Sequence, residues 1–222
     1  RCSYCDSRCL FFFFMIRGPA SSTLVPYTKL FRSVDESLFI KELPENHVRR
    51  LALEKCRSLK DVPKEDFIIA ADTIVVLDHM ILGKPANETH AFTMLSDLKG
   101  RSHWVMTAIA IRQGNQPEPF LDICRTEVKI RTYSDTEIYQ YIQSGDPMDK
   151  AGAYAIQNRG FNPVVDFSGC MASVMGMPLC HLERALRKFD GYEKTDWPGI
   201  CQTNLKYGCP ISERVLAGED IG

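Results

Sequence analysis

The chain has 222 residues, with 27 lysines and arginines against 28 aspartates and glutamates, for a formal net charge of −1. That length buries a substantial core, and 45% hydrophobic with 25% charged residues is ordinary globular material, not a disordered or collagenous chain. The near-neutral balance excludes a global basic field for gathering nucleic acid or an anionic membrane, so an anionic ligand has to be held by a few local cations.

The nine cysteines are odd in number and mostly scattered, which argues against a disulfide framework and for a reduced, cytoplasmic setting. Cys2, Cys5 and Cys9 in "CSYCDSRC" have a spacing that suits a metal. No second cysteine pair or histidine pair follows at finger-like distance, so an atypical N-terminal segment is the preferred reading. "LFFFFMI" at 10–16 is far short of the ~20 residues that span a bilayer. It also sits at the lower limit for a signal peptide core, and a first β-strand is expected there.

Further along, "PENHVRRLALEKCRSL" places Val48, Leu51, Ala52 and Lys55 at helical spacing over about 45–58, which puts a lysine on an apolar face. Phe67–Leu77 reads as a central strand, with Asp72 in its middle. A helix follows in "NETHAFTMLSDLKG", with Asn87 as N-cap and Gly100 just past its end. Two strands, "SHWVMTAIAIRQG" and "PFLDICRTEVKIR", flank the turn-rich "QGNQPEP". "SDTEIYQYIQSG" carries a capping box, Ser134 with Glu137, and stops at Gly145. "AGAYAIQ" and "PVVDF" read as short strands, "LCHLERALRKF" as a closing helix, and the segment from Asp190 as a surface tail. The pattern is that of an α/β domain with a mixed sheet. It divides into an N-terminal segment 1–32 with the first strand, a main domain 33–189 and a tail 190–222.

A carboxylate inside a buried strand needs a partner or a task, because an unpaired buried charge costs several kcal/mol. Asp72 is therefore either ion-paired to Lys55 in the core or held for chemistry. Lys84 reads by itself as an exposed turn lysine before Pro85, and Glu36 as a solvated loop charge. Asp149 and Lys150 read as a surface pair. The five histidines have no ligand spacing, and Tyr154, Met171, Met175 and Met177 read as core.

Six motifs in order shift that balance: "SVDES" (33–37), "LALEK" (51–55), "AADTIVV" (70–76), "LGKP" (82–85), "GDPMDKAGAYAIQ" (145–157) and "VMGMP" (174–178). Together they resemble the Maf family of nucleoside triphosphate pyrophosphatases. The resemblance implies a Maf/ITPase-like α/β fold, a mixed sheet with two lobes flanking a central cleft, often in a homodimer. It implies hydrolysis of dTTP or UTP to the monophosphate and pyrophosphate with a divalent cation, Mg²⁺ or Mn²⁺. In that family the Asp of "ADT", here Asp72, is the base for the attacking water. Glu36 joins it at the metal, and Lys55, Lys84 and Lys150 stand near the phosphates. Thr73 and Gln157 help to select the pyrimidine. The chemistry suits those residue types: carboxylates hold a hard cation and orient water, and compact ammonium groups meet phosphate oxygens. Gly83 and Gly152 are expected to let backbone approach the phosphates. The family's Ser-x-Ser-Pro-Arg-Arg loop has no counterpart: "RGPASST" stands in its place, with Arg17, Ser21 and Ser22 as the candidates to replace it. The alternatives are a nucleotide-binding protein with impaired catalysis and a regulatory, cell-division-linked role, and a 7-methyl-GTP-type pyrophosphatase. The partner expected is a nucleoside triphosphate, with no nucleic acid polymer and no membrane.

Overall fold

The computed structural model describes residues 13–16, 24–26 and 34–222. The cysteine cluster at Cys2, Cys5 and Cys9, together with Arg17, Ser21 and Ser22, lies outside the described residues. Strands β1 (Phe13–Ile16) and β2 (Leu24–Pro26) precede helix α1 (Pro44–Ser58). Then come β3 (Phe67–Leu77), β4 (Met80–Leu82), α2 (Glu88–Leu98), β5 (Ser102–Gln113), β6 (Phe120–Ile130) and α3 (Asp135–Gln143). Two 3₁₀ turns, Asp146–Asp149 and Ala151–Ala153, lead to β7 (Val164–Ser168), followed by α4 (Met171–Val174) and α5 (Leu179–Leu186). Helices α6 (Trp197–Leu205) and α7 (Ser212–Leu216) close the described chain. No described helix is long and apolar enough to cross a membrane.

The α/β class holds. The sheet runs β2-β1-β3-β5-β6-β7 with β4 paired to β3, and every described pairing is antiparallel. Strand β3 nevertheless reads as a continuous apolar run, because helices cover both of its faces. On one face Val48, Ala52 and Cys56 of α1 pack on Ile68, Ala70, Ile74 and Val76. On the other, Phe67, Ile69 and Ala71 meet Leu182, Ala185 and Leu186 of α5, while Val75 and Leu77 meet α2 and α3. Burial on both sides removes the alternation that an antiparallel strand with one wet face would show.

Strand β1 pairs with Phe67–Ala70, and β4 pairs with Val75–Leu77 of the same strand edge. Among the described residues no strand pairs with residues 71–74 on that edge. Asp72 and Thr73 are neighbours on this stretch and point to opposite faces.

Local signals decide the helix ends. Asn87 Oδ1 accepts from His90 N at 2.9 Å, and Ser134 and Glu137 close their capping box. Two expectations are corrected. "AGAYAIQ" is no strand: it opens in a 3₁₀ turn in which Gly152 (φ 70°) and Ala153 (φ 58°) take positive φ, which ends extended structure. The segment after Asp190 folds into α6 and α7. Asp196 caps α6 through Gly199 N at 2.9 Å, and Trp197 Nε1 donates to Tyr192 Oη at 3.0 Å. Leu205 and Ile211 pack on Cys124 and Cys170 of the sheet side.

Gly152 serves packing more directly than phosphate approach. A Cβ built there meets the Val75 side chain at 3.0 Å, and its φ lies in the left-handed region. Gly152→Ala is therefore expected to destabilise the protein by at least about 1 kcal/mol, read as a lower urea midpoint.

Candidate active site

The cleft beside β3 has a volume of about 360 Å³ and is lined by Glu36, His47, Asp72, Thr73, Lys84, Asp149, Lys150 and Tyr154, among others. That size lies in the range of small-molecule sites. Helix α1 contributes its buried face at i, i+4 and i+8: His47, Leu51 and Lys55. Lys55 is 4% exposed and Asp72 9%. The Lys55 ammonium makes a short ion pair with Asp72 Oδ1 and lies 3.1 Å from Glu36 Oε1. Burial pushes the Asp72 carboxyl up, the Lys55 charge pulls it back down, and the net shift is upward. Two carboxylates thus converge on one buried ammonium. Asp72 is thus ion-paired in the core and also lines the cleft.

The threonine beside it is oriented from behind. Thr107 Oγ1 donates to the Ser173 carbonyl at 2.8 Å, which uses its only proton. Thr73 Oγ1 lies 2.9 Å from Thr107 Oγ1 and must be the donor of that pair. The Thr73 oxygen therefore presents lone pairs, not a proton, to the cleft.

The lysines differ. Lys84 is exposed and lines the cleft, on a loop tied down by Gly152 N donating to Gly83 O at 3.1 Å. Lys150 also lines the cleft but is 7% exposed, with Nζ at 2.7 Å from Asp149 Oδ1, 2.8 Å from the Asp146 carbonyl and 3.1 Å from Asp146 Oδ1. Burial opposes its charge, but the two aspartates outweigh burial and its pKa is raised. Its three N–H donors are matched by three protein oxygens, so it pins the 146–150 turn to the cleft wall. Asp149 and Lys150 are thus a half-buried staple, not a loose surface pair.

Gln157 is not brought to this cleft. It is exposed and lines a separate depression of about 630 Å³ with Arg131, Tyr141, Asp146 and Asn158. Conversely, His47 and Thr107 belong to the site and its support. His47 is visible in sequence only through its i, i+8 relation to Lys55. Thr107 carries no local signal at all, since its partners are 34 and 66 residues away. Tyr154 forms part of the wall, with Oη 2.7 Å from Nε2 of His103, whose pKa burial lowers to about 4. Met175 and Gly176 of "VMGMP" line the cleft too, while Met177 packs with the α5 core.

Among the described residues no group of three or more His, Cys, Asp or Glu forms a ready metal cage. Asp72 and Glu36 nevertheless offer hard carboxylate oxygens 3.1 Å or less from one shared ammonium. That donor set fits a cation of the Mg²⁺ or Mn²⁺ type, which is commonly held by one or two carboxylates and completed by substrate phosphates.

Comparison with known proteins identifies the family. The family model "Maf-like protein" matches residues 22–189. A dTTP/UTP pyrophosphatase of Halalkalibacterium halodurans is 42% identical over 163 residues, covering 73% of this chain and 85% of its own length. The protein of the same name from Syntrophomonas wolfei is 43% identical over 155 residues, 70% of this chain and 82% of its own. That from Clostridioides difficile is 37% identical over 168 residues, 76% and 87% respectively. The six motifs, the cleft they line and a match over most of the length lead to one conclusion: this chain belongs to the Maf family.

Proposed function

We propose that the protein is a nucleoside triphosphate pyrophosphatase acting on dTTP and UTP, which are turned with water into the monophosphate and pyrophosphate. The observation that carries this reading is the pairing of Asp72 and Glu36 on the Lys55 ammonium inside the cleft. The relatives named for dTTP/UTP hydrolysis support the substrate class.

Asp72 accepts the proton of the water that attacks the α-phosphorus, and the α–β anhydride bond breaks. A carboxyl raised by burial is a better proton acceptor than an ordinary one, and the Lys55 charge favours its ionised form. Lys84, lining the cleft, meets the phosphate oxygens as a compact cation. Asp72 and Glu36 would hold the divalent cation, which when bound neutralises charge on the phosphates. The role of Lys150 is to hold the cleft wall, with its charge near the phosphates. We rest the reading of the base on Thr73: its oxygen, acceptor-only toward the cleft, suits the N3–H of thymine or uracil and not the bare N3 of cytosine. The role that the resemblance gives to Gln157 finds no support in the geometry of the cleft.

The first test is pyrophosphate release from a panel of nucleoside triphosphates with Mg²⁺ or Mn²⁺. Release from dTTP and UTP, with little from ATP or 7-methyl-GTP, is expected. Calorimetric binding of dTTP without release would instead favour a nucleotide-binding protein with impaired catalysis.

Asp72→Asn is expected to abolish hydrolysis while leaving circular dichroism unchanged; turnover at the parent rate would make Asp72 structural. Lys84→Ala is expected to lower kcat/KM about tenfold or more, and an unchanged value would remove Lys84 from the site. Thr107→Val frees the Thr73 proton, so the kcat/KM ratio of dTTP over dCTP is expected to fall about tenfold, while Thr107→Ser retains it. A ratio unmoved by both Thr107→Val and Thr73→Val would show that Thr73 does not read the base.

A further inference from the structure

Glu36 poses a problem of placement. It lies on a segment, residues 34–43, that belongs to no helix or strand, and its side chain is 51% exposed. A carboxylate in such a position ordinarily samples many rotamers, yet here its Oε1 lies 3.1 Å from the buried Lys55 ammonium.

The segment is organised around one side chain of α1. Arg50 Nη1 donates to the Asp35 carbonyl at 3.2 Å, and Nη2 to the Ser37 carbonyl at 2.9 Å. These are the carbonyls of the two residues that flank Glu36. The same guanidinium takes Glu42 in a fork, Nε to Oε1 at 2.8 Å and Nη2 to Oε2 at 2.9 Å, and lies 3.9 Å over the Phe39 ring. Glu54 Oε1 stands 3.5 Å from Nη1. An arginine has five N–H donors, and five acceptor oxygens of the protein surround this one. Such a group is occupied with shaping the loop and not with meeting a phosphate.

We propose that Arg50 is a positioning residue that presents Glu36 to the Asp72–Lys55 pair by gripping the carbonyls of Asp35 and Ser37. The proposal rests on the reading of Glu36 as part of the active site. The planar fork is essential to it: a lysine keeps the charge but, as a point donor on a flexible stem, cannot reach both carbonyls and chelate Glu42 together.

The test combines a kinetic cycle with a readout that needs no activity. The variants are Arg50→Lys, Glu36→Gln and the double variant, with Arg50→Gln as a second probe of the same position. Their kcat/KM for dTTP and half-saturating Mn²⁺ are measured, together with amide hydrogen exchange of the 34–43 and 44–58 segments.

Arg50→Lys is expected to lower kcat/KM at least tenfold and raise the half-saturating Mn²⁺. The double variant is expected to be no worse than Glu36→Gln alone within about threefold, since both changes act through one carboxylate. Exchange is expected to rise at least tenfold in 34–43 and to stay unchanged in 44–58. Losses that multiply in the double variant, parental kinetics in Arg50→Lys, or unchanged exchange in 34–43 would each overturn the proposal. Parental turnover by Glu36→Gln would overturn it together with the active-site role of Glu36. Absence of hydrolysis in the parent itself would instead defeat the pyrophosphatase reading, and exchange alone would then decide whether Arg50 orders the loop.

Discussion

The structure depends on one buried ion pair, Lys55 of α1 with Asp72 of β3. Taking two charges out of water is expensive, and an apolar pair of similar volume often stabilises a core as well or better. Removing a single partner is worse than replacing both, because the charge left behind loses its buried counter-charge. The pair therefore fixes how α1 seats on the sheet: Lys55 must face inward, and Val48, Ala52 and Cys56 follow it onto the sheet face. Of the two, Asp72 lines the cleft, while Lys55 touches it through Asp72 and Glu36.

The second constraint is the alternation along β3. Asp72 and Thr73 are neighbours that point to opposite faces of the sheet, yet both line the same cavity. A carboxylate from one face and a hydroxyl from the other are thereby within reach of one ligand. This suits a nucleotide, in which the phosphates and the base differ in chemistry and lie apart.

Around the cleft, polar side chains act as ties whose donors are used up within the protein. Lys150 holds the 146–150 turn, Thr107 links β5 to the Ser173 carbonyl and orients Thr73, and Arg50 gathers the loop that carries Glu36. Each spends its hydrogen-bonding capacity on the frame, so the groups that face the cleft are held in defined orientations. Pre-organisation of this kind lets charge-stabilising groups act without reorganising during the reaction.

Much of this was legible before any coordinates. Periods of 3.6 and local caps located α1, α2 and α3, including the Ser134–Glu137 box, because those signals lie within a few residues of each other. The apolar run 67–77 marked the central strand, and the charge within it lies at the cleft. The sheet's antiparallel order was not legible, since a strand covered on both faces reads alike in either direction. Nor was the 3₁₀ turn at 151–153, set by positive φ at Gly152 and Ala153 against Val75, or the packing of α6 and α7. Motif order alone singled out residues that the fold brings together: Asp72, Glu36, Lys84 and Thr73 line one cleft, and Lys55 touches two of them. Long-range packing placed Gln157 apart from them, spent Lys150 on its own turn, and put Thr107 and Arg50 against the neighbours they orient. Those assignments depend on contacts between residues far apart in the chain, and no local pattern records where a distant hydrogen bond will end.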